Sequence, residues 1–529
     1  MARVRGGLGL GLGLMAWGAW IAAIDPLWET VDDPVAAMCM LGFGVAARGL
    51  ADYPFGNVAW AGIVQGLAAW AGLQAYGLAV LGAFGLAGAG VWVALRGERA
   101  PGWLAAAGVI VLFARPLAQP QFTVLAGMAT VAGVLLVAGR PEEGGRWRRA
   151  TGWGLLVIGA WVRPLEAALV GAIAAPWLPW RAWLTDRRER AWALGAVGLL
   201  ALTSGLDALA HAGPTWELCR AYGRSFALAV CDYNLGSFLA ARPAVLAGHG
   251  VSANDLALLG AYFHADAGLN ALGGLRWGEP GMERAAHMLA NLALLPESLG
   301  VWSHRPLWPL AGVLLVGGLT AAPGRRRLAM GLALLAGAHV ALVLLGRPMP
   351  PRVAFAPVAL LAACALLEVC RAPAPGQARR RWLGVALVLA AVAALGLEWR
   401  ARQAREPLVQ QAQALVARLD PAVRHLVWAD FPFHDAYRVL ERDPRLLAQP
   451  FTPLGWPFQV PNVRAADLDA AGRGWWQRLQ AGEPVRLVAS QGHVSLLATY
   501  AREHTGRKLV ARPLGSPLVV ELRLAEVGR

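Results

Sequence analysis

The chain of 529 residues is 57% hydrophobic and only 15% charged, with a formal net charge of +15 and 24 tryptophans. A soluble globular protein carries about a quarter charged residues, and a mean hydropathy of +0.47 excludes an ordinary soluble domain. The positive balance is no sign of nucleic-acid binding, because the basic residues sit in short clusters between apolar runs, as in cytoplasmic loops facing anionic lipid.

The N-terminus, Met1-Ala2-Arg3-Val4-Arg5 and then an apolar run, has the look of a secretory signal. No suitable small-x-small site precedes Asp25-Pro26, so the run at about 7–24 reads as an uncleaved first helix. Arg3 and Arg5 place its start in the cytoplasm, which delivers Asp32-Asp33 to the outer face. The stretches at about 34–50 and 57–73 are short and interrupted, and read as helices lying along the outer interface. Crossings are expected at about 76–95, 102–118 and 121–138, with the basic run Arg140 to Arg149 inside. The next apolar segment, 152–178, is too long for one ordinary span and is interrupted at Arg163-Pro164. Proline removes a backbone donor and ends or kinks a helix, so two short helices are expected there. Broken helices at membrane depth are tolerated where they line a cavity.

A crossing at about 191–210 leads into an outer loop, 211–300, of a length that normally carries a function or a fold of its own. Further crossings at about 306–321, 328–346, 353–370 and 382–398 bring the total to about eleven segments. Arg325-Arg326-Arg327 and Arg379-Arg380-Arg381 then lie inside, and Arg347 and Arg352 outside. Residues 400–529 change character: a polar helical run, Glu398 to Leu419, precedes short apolar stretches such as Val423–Trp428, Val485–Ser490 and Pro517–Leu522. They read as a small extracytoplasmic α/β domain. The fold class expected is therefore a mostly α, polytopic transmembrane bundle over 1–399, including interfacial helices 34–73 and the outer loop, followed by the 400–529 domain.

No GxGxxG after a strand, Walker A, HExxH or GxSxG pattern is present. Cys219 and Cys231 share the outer loop, where a disulfide is chemically open to them. His425, His434 and His493 are too scattered for a metal site, and Trp475-Trp476 fit a core better than a sugar platform. What remains is polar and on one side: Asp32, Asp33, Gln121, Arg163, Asn254, Asp255, His264, Asp266, Arg347 and Arg352. A carboxylate serves as a base or binds a divalent cation, and arginine forks suit a phosphate. Ionisable groups at a membrane are functional candidates by default.

The layout of an acidic pair after the first helix, interfacial helices, broken helices and an extracytoplasmic C-terminal domain resembles the GT-C glycosyltransferases. The stretches that carry the resemblance include Val31-Asp32-Asp33-Pro34, Pro54-Phe55-Gly56-Asn57-Val58, Gln121-Phe122-Thr123 and Val162-Arg163-Pro164-Leu165-Glu166. Asn254-Asp255, His264-Ala265-Asp266 and Pro350-Pro351-Arg352-Val353 extend it, and Leu454-Gly455-Trp456 carries it into the tail. These stretches match a bacterial multi-pass group of that layout more closely still.

The resemblance implies a bacterial cytoplasmic-membrane enzyme that moves a sugar from a polyprenyl-phosphate donor to an acceptor at the outer face. By it, Asp32 or Asp33 is the general base or holds Mg²⁺ or Mn²⁺, with Asp33 the metal ligand; Arg163 and Arg352 clamp the donor phosphate. Gln121, Asn254, Asp255, His264 and Asp266 complete a substrate site. No third carboxylate has an assured place opposite the pair. The competing expectations are a carrier or flippase for lipid-linked precursors and an assembly protein that has lost the chemistry.

Overall fold

A computed structural model describes residues 17–98, 100–139, 145–226, 235–263, 284–320, 324–371, 377–428 and 433–525. The first helix, α1, is described over 17–24 and is followed by α2 (Asp32–Leu41) and α3 (Val58–Ala71). Next come α4 (Ala75–Gly97), α5 (Gly102–Ala118), α6 (Phe122–Ala138), α7 (Gly145–Val162) and α8 (Pro164–Ile173). The predicted break holds: Arg163 is extended, with φ −158° and ψ 99°, and Pro164 opens α8 where its missing N–H costs nothing.

Five stretches of the described residues are long and apolar enough to cross a membrane: Val58–Gly97, Arg187–Ala210, Arg325–Leu344, Pro351–Arg371 and Arg381–Arg418. Three of the expected crossings, α5, α6 and the one at about 306–321, are shorter apolar helices of under 18 residues. The bundle is organised around α6, which packs against α4, α7, α8 and the helix Pro351–Arg371. Its side chains are buried over almost the whole length, as expected of a helix apolar all round. A Cβ on Gly133 of α6 would lie 2.8 Å from the carbonyl oxygen of Gly152 on α7. Small residues thus let the two backbones approach closely. That seam fixes the start of α6 relative to the end of α7, where Arg163 stands.

The last membrane helix differs from expectation. The predicted crossing at 382–398 and the polar run after it form one helix, Gln377–Arg418, of 42 residues. At 1.5 Å per residue it is about 63 Å long, roughly twice a hydrocarbon core. Apart from Pro407, the polar half consists of good helix formers, so nothing in it stops propagation. Past the apolar part, Arg402 and Arg405 reach back to the segment between α1 and α2. Arg405 donates to the Trp28 carbonyl at 3.1 Å and pairs with Asp435; Arg402 pairs with Asp25 at 3.4 Å. Arg438, further on, also pairs with Asp25.

The C-terminal sheet has five strands: β1 (His425–Val427), β2 (Phe451–Pro453), β3 (Val485–Val488), β4 (Lys508–Ser516) and β5 (Val519–Ala525). Their order is β2-β1-β3-β5-β4. β1 pairs in parallel with β2 and β3, and β5 pairs antiparallel with β3 and β4. Trp475 is buried, as its core reading required.

Two apolar clusters join residues from both sides of position 399. Leu239, Leu258 and Phe263 of the outer loop share a core with Leu426, Trp475 and Leu487 of the sheet domain. Tyr437, Val439 and Phe451 belong instead to the same core as α2 and α4. The tail is therefore packed on both the loop and the bundle.

The tail backbone lies close over α4 at Gly77, where an added Cβ would be 2.1 Å from the Val439 carbonyl oxygen. Overpacking of this kind costs about 1–3 kcal/mol. Gly77→Ala is expected to lower the thermal midpoint of the purified protein and to expose the 433–460 segment to protease. An unchanged midpoint would mean that this contact does not hold the tail.

Candidate functional site

Asp32 and Asp33 form the first turn of α2, where negative charge meets the positive end of the helix dipole. The two carboxylates have separate fates. Asp33 is completely buried. Its Oδ1 accepts from the Tyr76 hydroxyl at 3.0 Å and from the Phe122 backbone N–H at 3.1 Å. Phe122 is the first residue of α6, so Asp33 occupies the N-terminus of the central helix. Burial holds its carboxyl well above the usual carboxylate range, and the Asp32 charge adds to this; the Tyr76 and Phe122 bonds pull the other way. Asp32 is only half-buried, and its Oδ1 accepts from the Trp456 indole N–H at 3.2 Å.

Arg163 projects from the break between α7 and α8, half-buried, with its guanidinium 5.0 Å from the centre of the Phe122 ring. The charges that act on it are those of Arg347, Glu166, Asp32 and Arg352. The structure therefore brings Asp32, Arg163, Arg347 and Arg352 into one electrostatic neighbourhood, beside the buried Asp33. The side chains of Arg163 and Arg352 make no ion pair or hydrogen bond among the described residues. Guanidinium groups that share a neighbourhood and keep their donors unengaged by any carboxylate are a site for an anion.

Three expected site residues have other work. Gln121 is buried and caps α6: its Oε1 accepts from the Val124 N–H at 3.0 Å and its Nε2 donates to Thr123 Oγ1 at 3.1 Å. It shapes the site by starting the helix, with its amide already engaged. Asn254 and Asp255 do not join the cluster. Asn254 donates to the Leu496 carbonyl at 3.2 Å, and Asp255 accepts from His504 at 2.9 Å. Asp255 also closes a capping box with Ser252. The short helix that carries both is docked on the helix Gln491–Thr505, so their side chains are consumed in joining loop to tail. His264 and Asp266 lie outside the described residues, as does Cys231 and with it the pairing to Cys219.

No family model matches the chain, and no match is found among curated proteins. Two solved structures are similar to it: ArnT from Cupriavidus metallidurans in the apo state and the same protein bound to undecaprenyl phosphate. The first is 15% identical with a TM-score of 0.39, covering 98% of each chain. The second is 14% identical with a TM-score of 0.38, covering 99% of this chain and 98% of the other. At such values the chemistry of the site has to be read from its own residues.

Those residues do not suit the divalent cation that Asp33 was expected to hold. The Asp33 oxygen facing its neighbours is taken by two donors, Asp32 is bonded to an indole, and the Arg163 guanidinium already lies in the field of Asp32. Among the described residues the one group of three side chains with metal-ligand spacing is Asp255, Glu503 and His504, in the loop–tail joint. Activity is accordingly expected to survive EDTA; its loss on chelation and return with Mn²⁺ would place a metal at the pair after all.

Sequence reasoning missed Tyr76, Trp456 and His434. Tyr76, a lone hydroxyl at the head of a long apolar run, was the readable signal, since a buried tyrosine wants a partner. His434 stands within reach of the Asp32 charge, its Nδ1 buried without a hydrogen-bond partner. Burial lowers its pKa, and the charge of Asp435 opposes that. Only the tertiary fold brings His434 and Trp456 to a carboxylate some four hundred residues earlier.

Proposed function

We propose that this chain is a membrane glycosyltransferase that moves a sugar from a polyprenyl-phosphate donor to a hydroxyl acceptor at the outer face of the bacterial cytoplasmic membrane. The observation that carries the reading is the half-buried Asp32 carboxylate in one charged neighbourhood with Arg163, Arg347 and Arg352, where the side chains of Arg163 and Arg352 make no ion pair with any described residue. Sidedness rests on the distribution of basic residues along the chain, which leaves the N-terminus inside and the C-terminal domain outside.

In this reading the arginines hold the donor phosphate. The acceptor hydroxyl attacks the anomeric carbon while Asp32 takes its proton. A new C–O bond forms, the bond between sugar and phosphate breaks, and its electron pair leaves on the phosphate oxygen. The extra negative charge on the departing phosphate is stabilised by guanidinium groups already in place, which cost no reorganisation at the moment of reaction. Asp33 is too enclosed to meet the hydroxyl of an acceptor; it fixes the first turn of α2 against α4 and α6. The reading uses no metal step.

The test is turnover. Purified protein in nanodiscs is offered radiolabelled polyprenyl-phosphate sugars together with an envelope lipid and glycan extract as acceptor. Transfer of label by the wild type, absent with Asp32→Asn, supports the reading; equal transfer by both would remove Asp32 from the chemistry.

A further inference from the structure

We infer that Phe55 and Trp456 form the seat for the sugar ring of the donor, so that the C-terminal domain completes the active site. The inference rests on the function proposed above. Phe55 is 37% exposed, so its side chain is open to a ligand. It meets the Trp456 ring edge-on, with centroids 4.5 Å apart at 69°, and stacks on Phe122 at 6.4 Å and 18°. Tyr53 closes the cluster at 5.8 Å from Phe55 and 5.9 Å from Trp456.

The charges stand at the two ends of this aromatic row. At one end Trp456 donates to Asp32, and at the other Arg163 lies over Phe122. A ring laid on the row would have its hydroxyls toward a carboxylate and its phosphate toward a guanidinium. An apolar floor with a few placed polar groups is the usual construction of a small-molecule site. A sugar offers an apolar C–H face to an aromatic ring and hydroxyls at its edge, and so fits both parts. An isoprenyl chain fits only the floor.

Trp456 is brought there by the tail. It opens the turn Trp456–Gln459 after β2, against which the helix Glu217–Phe226 of the outer loop also packs. The preceding Gly455 lies under the Tyr262 carbonyl. Loop and tail together therefore set the position of one aromatic ring and, through its N–H, of the reacting carboxylate.

The experiment compares affinity for a polyprenyl-phosphate sugar with affinity for bare polyprenyl phosphate. Wild type, Phe55→Ala, Trp456→Ala and Trp456→Phe are used in nanodiscs. Phe55→Ala and Trp456→Ala are expected to lose about tenfold in affinity for the glycosylated lipid while keeping that for the bare lipid. Trp456→Phe retains a ring but no N–H, and is expected to keep the donor KM while kcat falls about tenfold. A merely structural role would not produce that split. Phe55 is exposed, so its variant carries the test if Trp456→Ala fails to fold. A parallel loss for both lipids would make the row a seat for the chain, and unchanged affinities for both would leave it no part in binding; either overturns the inference with the proposed function intact. Wild type that binds neither lipid would overturn the function itself.

Discussion

Asp32→Asn is expected to reduce kcat by about 10²–10⁴, the range supplied by a placed general base, with donor binding retained. Asparagine is close to isosteric and still accepts the Trp456 N–H, so the loss isolates proton transfer from packing. Asp33→Asn is expected to behave differently. It still accepts from Tyr76 and the Phe122 N–H, and its effect should appear first in stability.

The sign follows from burial. A carboxyl whose folded-state pKa lies above its unfolded value contributes stability at pH below the unfolded value, and that contribution is lost as the pH rises through the folded value. The thermal midpoint of Asp33→Asn should therefore gain on wild type as pH rises above the ordinary carboxylate range, and the two should converge in acid. Activity profiles at several pH values, with midpoints measured on the same samples, check both parts. A larger kcat loss in Asp33→Asn than in Asp32→Asn would exchange the roles of the two carboxylates.

The arginines give the second large effect. Hydrogen bonds to charged groups contribute about 1.5–3 kcal/mol each, so Arg163→Ala or Arg352→Ala should weaken binding of bare polyprenyl phosphate by roughly 10- to 100-fold. The loss in kcat/KM should be larger than the loss in binding, because the phosphate gains charge as it leaves and the interaction strengthens in the transition state. Arg163→Lys keeps the charge and loses the planar fork, and should fall between. The double variant should lose less than the product of the single losses, since the two groups address one phosphate. Equilibrium binding of a fluorescent polyprenyl phosphate measures this. Unchanged affinity in both variants would mean that the phosphate is held elsewhere.

Much of this arrangement is legible in the sequence where one residue type has only one way to act. Adjacent carboxylates after the first helix are costly at a membrane and mark a candidate site, and Arg163-Pro164 falls inside an apolar run too long for one span, where a proline break is expected. Of the five strands, β1, β3 and β5 were readable from their short apolar runs, while β2 and β4 were not. The Ser252-Ala253-Asn254-Asp255 stretch also carried its own signal, a hydroxyl followed three residues later by an acid, which makes a helix start. Reading those polar residues as substrate ligands gave that local meaning too little weight.

The rest depends on contacts distant in the chain. Nothing local tells which of Asp32 and Asp33 faces inward, because the answer lies with Tyr76 and the Phe122 N–H. The docking of residues 239–263 on the sheet needs Trp428, whose indole donates to the Ala261 carbonyl at 2.7 Å. Likewise the long helix reads as two pieces because its composition changes at Glu398, though helix propensity does not.

The most direct measurement follows the lipid product. Wild type and Asp32→Asn in nanodiscs are supplied with a polyprenyl-phosphate sugar and the envelope extract, and the lipids are resolved by mass. The account predicts polyprenyl monophosphate appearing in step with each sugar transferred by wild type, and from Asp32→Asn at no more than about a hundredth of that rate. Donor recovered intact, with its sugar merely moved from one leaflet to the other, would contradict it and make the protein a carrier.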